Sequence, residues 1–257
     1  MRYHFNKYSQ SGEDGVIEKI FEIIPPKNRI CIELGAWDGF HLSNTANLWT
    51  NGWKGILIKA DKDKFTELVK IQEKYDCICI NEFVSFPPEN TLEAILKRYG
   101  VDYNEVDFLS IDIDGDDWYV FESLDKLKPK VICCEYNDYI SPHISYVQKR
   151  GAPHMPLGTQ KRGVPYSHWG CSARALTELA DKKGYTLISI IGNNCFYIKN
   201  EYIGEFKNYW TGEKLLNDLN FMRIKIGRKI YNFGYFYMKY GIVGIFLKII
   251  NTLSAKK

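Results

Sequence analysis

Five short apolar runs, each closing on glycine or acidic residues and separated from the next by a helical pattern, constrain this chain most. They are RICIELGAWDG (29–39), GWKGILIKAD (52–61), CICINEFVS (77–85), VDFLSIDID (106–114) and KVICCEYN (130–137). Runs of this length suit strands buried on both faces of a parallel sheet. Val16, Ile17, Ile20, Phe21 and Ile24 recur at helical spacing ahead of Pro25-Pro26, and helices are predicted over 41–52, 61–75, 92–99, 118–124 and 172–184. The stretch YTLISIIGNNCFYIK (185–199) reads as a terminal hairpin. Alternating strands and helices imply right-handed βαβ units, hence an α/β fold with a mostly parallel, seven-stranded sheet and helices on both faces.

A chain of 257 residues holds one such domain, placed at 1–210, followed by an appendage over 211–257 that is expected to be helical, basic and aromatic-rich. From Leu219 onward there are eight basic residues and no Asp or Glu, which leaves 26 basic against 31 acidic side chains in the body. An acidic body argues against a nucleic-acid groove, since phosphate binding needs clustered Lys and Arg. The tail suits peripheral contact with an anionic membrane surface, or packing on the domain or on a second copy in a homo-oligomer. Its longest apolar stretch, GIVGIFL, is too short to span a bilayer. Seven cysteines, an odd number without a CxxC pair, fall mostly in apolar runs and point to reduced thiols in a cytoplasmic protein. The opening MRYHFNKYSQSGEDG contains no apolar signal-peptide core. Between Asp138 and Gly170, four prolines and His143, His154 and His168 mark a long loop of the substrate-binding kind.

The turn Glu33-Leu34-Gly35-Ala36-Trp37-Asp38-Gly39 follows the first strand. Gly35 lets backbone approach a ligand without an intervening Cβ, and the acids favour a cationic, zwitterionic cofactor over a pyrophosphate. The turn is not the GxGxxG of dinucleotide enzymes, which disfavours a dehydrogenase.

In order, SQSGEDG, IELGAWDG, FLSIDIDGDDW, KVICCEYN and GCSARALTELADKKGYTLI resemble the FkbM-like, class I Rossmann-like methyltransferases over roughly residues 8–198. That resemblance implies S-adenosylmethionine as cofactor, with Glu33, Gly35, Asp38 and Gly39 around its methionine part and Gln10 closing that end. It implies methylation of an oxygen on a sugar, glycan precursor or related polar small molecule. Such folds end their second strand in an acid that accepts from the ribose hydroxyls, and here the position is Lys59. Asp61, two residues on and on the same face of an extended strand, is expected to take that role. Glu82 or Phe83 is expected near the adenine.

Asp112, Asp114, Asp116 and Asp117 crowd the end of the fourth strand, with Glu135 and Asn137 ending the fifth. Strand alternation puts Asp112 and Asp114 on one side. Three readings stay open: Asp112, Glu135 and Asn137 hold Mg²⁺ or Ca²⁺ as in metal-dependent O-methyltransferases; Asp112, Asp114, His154 or His168 acts as a metal-free base; or Asp112 contacts the cofactor or a helix N-terminus while Asp116 and Asp117 are solvated caps. An Asp-x-Asp after a strand also occurs in metal-dependent glycosyltransferases, the competing enzyme class. A non-catalytic scaffold of the same fold is the third.

Overall fold

The computed structural model describes residues 5–138, 140–150, 169–209, 211–216, 223–226 and 229–232. Its central sheet contains β1 (Ile30–Leu34), β2 (Lys54–Ile58), β3 (Cys77–Ile80), β4 (Phe108–Ile111), β5 (Val131–Glu135), β6 (Tyr185–Ile191) and β7 (Asn194–Lys199) in the order β3-β2-β1-β4-β5-β7-β6. The first five pair in parallel; β7 runs antiparallel to β5 and to β6. This is a doubly wound, Rossmann-like sheet with an antiparallel hairpin at one edge, its order reversing between β1 and β4.

Period-two alternation sorts each strand between two cores. Ile32, Leu34, Ile56, Ile58, Leu109, Ile111, Ile132 and Cys134 face one, with helices α4 (Leu92–Arg98), α5 (Asp117–Ser123) and α6 (Ala173–Lys182). Cys31, Leu57, Phe108, Val131 and Cys133 face the other, against α1 (Glu13–Ile23) and α2 (Ala46–Trp49). All seven cysteines are buried and unpaired. Glu33 and Ser110 share the second face, so the apolar sheet carries polar groups where the cleft begins.

Two helices are shorter than their sequence patterns. The predicted helix over 41–52 shrinks to α2 because Ser43, Asn44 and Thr45 turn inward to donate to Glu33. The next narrows to α3 (Lys62–Leu68), then tightens into a 3₁₀ turn over Val69–Glu73.

The tail departs from its helical expectation. Arg223–Ile226 and Lys229–Asn232 pair as an antiparallel hairpin, β8 and β9, in keeping with the alternating RIKI and KIYN. Residues past 210 also join the body: Leu216 is buried in the first core, Gly212 N–H donates to the Leu187 carbonyl, and Glu213 pairs with Arg174. The remainder of the tail, and with it the membrane and subunit readings, lies outside the described residues. No helix among those described is long and apolar enough to cross a membrane.

Candidate functional site

A cleft of about 400 Å³ opens at the carboxyl ends of β1, β2, β4 and β5, where the strand order reverses and open α/β sheets bind ligands. Its size falls within the range of small-molecule sites, roughly 300–1,000 Å³. Gln10, Glu33, Gly35, Glu82, Asp112, Asp114, Glu135 and Asn137 line it. Asp38, Gly39 and Asp61 do not.

Local geometry accounts for those three. Asp38 Oδ1 accepts from the Phe40 and His41 N–H groups at 2.9 and 2.7 Å, an Asx turn that closes the loop on itself. Gly39, at φ 88°, packs where a Cβ would overlap the Ile71 side chain. Asp61 caps α3, its Oδ1 accepting from the Lys64 N–H at 2.9 Å. Asp61→Ala is therefore expected to cost about 1 kcal/mol of stability, as lost N-caps do, and to leave ligand affinity unchanged. Thermal unfolding and calorimetry on one sample check both halves. Lys59 itself lines the cleft.

Gly35, at φ 84°, is required by the fold itself, because a Cβ there would overlap the Asp112 carbonyl oxygen. Glu33 is also spoken for. Buried at 5% exposure, it accepts from Ser43 Oγ (2.6 Å), Thr45 Oγ1 (2.6 Å) and the Asn44 N–H (2.8 Å). Burial raises its pKa, and these three donors oppose the rise. From there a polar row crosses beneath the cleft: Asn44 Nδ2 donates to Ser110 Oγ, the Cys133 thiol to Asn194 Oδ1, and Asn194 Nδ2 to Glu13 Oε1. The N-terminal segment is anchored beside this row, since Asp14 Oδ2 accepts from the Lys7, Tyr8 and Ser9 N–H groups. That brings Gln10 to the cleft wall.

At the other end, Asp112 and Asp114 sit in a turn beyond β4, with Asp114 in the left-handed region at φ 61°. Strand alternation thus does not relate them. The turn does, and carboxylate oxygens of Asp112, Asp114 and Glu135 come within 4.8 Å of one another. Asp116 and Asp117 are buried rather than solvated. Asp117 accepts from the Ile113 and Gly115 N–H groups at 2.8 Å each and so shapes the turn, while Asp116 Oδ1 accepts from Gln148 Nε2. Glu135 accepts from Asn193 Nδ2, and Asn137 Nδ2 donates to the Trp169 carbonyl at 2.7 Å.

Burial pushes Asp112 up to about 6 despite its hydrogen bond with Glu135, and Asp114 and Glu33 add to the rise. Burial, then Asp112, lift Asp117 to about 7. Glu135 is also held well above the ordinary range, by burial and then by Asp112. Crowding and burial of this kind favour the protonated form of the cluster, and a bound cation would relieve them.

His154 and His168 lie outside the described residues; His143 is exposed and does not line the cleft. Missed from sequence were Trp37, Asn44, Trp169, Asn193 and Asn194, all lining residues. Only the Asn193-Asn194 pair left a signal, as an asparagine-rich hairpin tip.

The chain matches no protein-family model and no curated protein. Among solved structures it is similar to a precorrin-6y C5,15-methyltransferase from Geobacter metallireducens GS-15, at 12% identity over 76% of this chain and 90% of that one, TM-score 0.40. It is similar to an S-adenosylmethionine-dependent methyltransferase from Clostridium acetobutylicum ATCC 824, at 8% identity over 72% and 88%, TM-score 0.42. A third is the magnesium protoporphyrin IX methyltransferase from Synechocystis PCC 6803 with bound SAH, at 9% identity over 73% and 81%, TM-score 0.40. Likeness at this level leaves function to be read from the cleft.

Proposed function

We propose that the protein is an S-adenosylmethionine-dependent O-methyltransferase whose acceptor is a sugar, glycan precursor or related polar metabolite. The observation that carries this is the polarity of the cleft. Ile58, Phe83 and Val84 give it an apolar wall at the β2–β3 end, and three convergent carboxyl groups stand at the β4–β5 end. An adenine ring fits the first environment, and an acceptor hydroxyl that must lose a proton fits the second.

The cofactor, when bound, supplies an electrophilic methyl group; the chain does the rest. Phe83, 54% exposed on the cleft wall, offers a face for a base, while Glu82 is held in place by Arg98 and Asn90. Asp112, Asp114 and Glu135 orient the acceptor hydroxyl and take its proton. The raised pKa values of Asp112 and Glu135 make whichever of those two is ionised a stronger base than an exposed carboxylate. The same three hard oxygen donors suit a divalent cation such as Mg²⁺, which would lower the acceptor's own pKa. Methyl transfer unaffected by a chelator leaves the carboxyls acting alone.

Titration calorimetry with S-adenosylhomocysteine (SAH) tests the reading. The parent should bind, and Phe83→Ala should bind about tenfold more weakly, since base stacking on an aromatic ring contributes about 1–3 kcal/mol. No binding of SAH or S-adenosylmethionine, with binding of a uridine or guanosine diphosphosugar instead, would turn the assignment to a glycosyltransferase.

A further inference from the structure

The β2 end of the cleft carries charge of the opposite sign to the β4–β5 end. Lys59 Nζ and Lys64 Nζ lie over one indole, that of Trp37, at 5.5 and 4.5 Å from its centroid. The His41 ring is 5.3 Å from the same indole, and Trp37, His41 and Lys59 all line the cleft. Trp37 holds a left-handed backbone conformation, φ 42°, which bulky residues rarely adopt, and its ring lies within reach of both lysines.

Contact with the ring helps to hold the ammonium groups but does not neutralise them. Among the described residues neither lysine forms an ion pair, whereas Lys70, Arg98 and Lys130 each do. Asp61, next along the chain, is committed to capping α3. The charge of Lys59 reaches the Asp112 carboxylate across the cleft, but no carboxylate among the described residues is in ion-pair contact with either ammonium group, and an anion between them would relieve their mutual repulsion. Lys59 also stands at the carboxyl end of the second strand. At that place in nucleotide-binding α/β folds an acid selects free ribose hydroxyls, and a basic side chain accommodates a ribose phosphate.

We infer that Trp37, Lys59 and Lys64 form a subsite for a phosphoryl group, carried either on the ribose of a bound nucleoside or on the acceptor. The inference goes beyond the methyl-donor reading, because S-adenosylmethionine carries no phosphate and would place only neutral hydroxyls here. Lys59 and Lys64 donate to the phosphoryl oxygens, and the indole fixes both ammonium groups in advance.

Calorimetry with four probes tests it. Adenosine is compared with adenosine 2′-monophosphate and adenosine 3′-monophosphate, and glucose with glucose 1-phosphate in the presence of saturating SAH. In at least one comparison the phosphorylated probe should bind about tenfold or more tightly, as charge-assisted hydrogen bonds allow, and the gain should shrink at high salt. A gain in the adenosine arm places the phosphate on the nucleoside; a gain only in the glucose arm places it on the acceptor. The double variant Lys59→Gln, Lys64→Gln should abolish the gain while keeping the parent's melting temperature, both side chains being partly exposed. No gain in either arm, or one that survives the double variant, overturns the subsite. SAH titrated into the parent separates this outcome from the fate of the methyl-donor reading: SAH bound without a phosphate gain in either arm sinks the subsite alone, and a phosphate gain in the adenosine arm of a parent that never binds SAH sinks the methyl donor alone.

Discussion

Asp112→Asn and Glu135→Gln are each expected to cut methyl transfer by about 100-fold or more, while SAH affinity changes little. A base acting on the acceptor contributes roughly 10²–10⁴-fold, and its removal is felt in the transition state rather than in cofactor binding. Transfer of labelled methyl from S-adenosylmethionine into a polar-metabolite extract measures the first half, and calorimetry the second. Both variants should also alter the dependence of stability on pH. Asp112, Asp117 and Glu135 have folded pKa values above their unfolded ones, so between about pH 4 and 7 the folded state binds more protons. Unfolding free energy therefore falls as pH rises through that window. Removing one of the crowded carboxyls should flatten the fall, leaving the variants relatively more stable than the parent at pH 8 than at pH 5. Full turnover in both variants, or an unchanged pH slope, would remove the cluster from the mechanism.

Glu33→Ala should lower stability by about 3–5 kcal/mol. Hydrogen bonds to a charged group contribute about 1.5–3 kcal/mol each, and losing the acceptor strands the Ser43, Asn44 and Thr45 donors in a buried site. Urea unfolding should show a lower midpoint with an unchanged slope. The substitution separates two roles that the resemblance merges, cofactor ligand and loop anchor. A loss under 1 kcal/mol together with a large fall in SAH affinity would return Glu33 to direct contact with the cofactor.

Asp38, Gly39 and Asp61 show how far sequence reading of the site could reach. Each stands at a plausible position, yet Asp38 and Asp61 satisfy N–H groups two or three residues ahead. An Asp after a strand has the same spelling whether it caps the next helix or faces a ligand. Asp112, Asp114 and Glu135 were legible because carboxyl ends of neighbouring parallel strands must meet at one edge. The turn that brings the three together was not, since it depends on Asp117 accepting from Ile113 and Gly115.

By itself the sequence determined the order of strands and helices, the two faces of the sheet and the terminal hairpin. Side-chain period and turn residues act within a few positions, and right-handed crossovers then leave few arrangements of the sheet. Only the tertiary structure decided that Asn194 reaches Glu13, 181 residues away in the chain, and that Lys59 and Lys64 share one indole. Those contacts join elements whose local patterns carry no information about one another, so they are settled by how the loops close over the sheet.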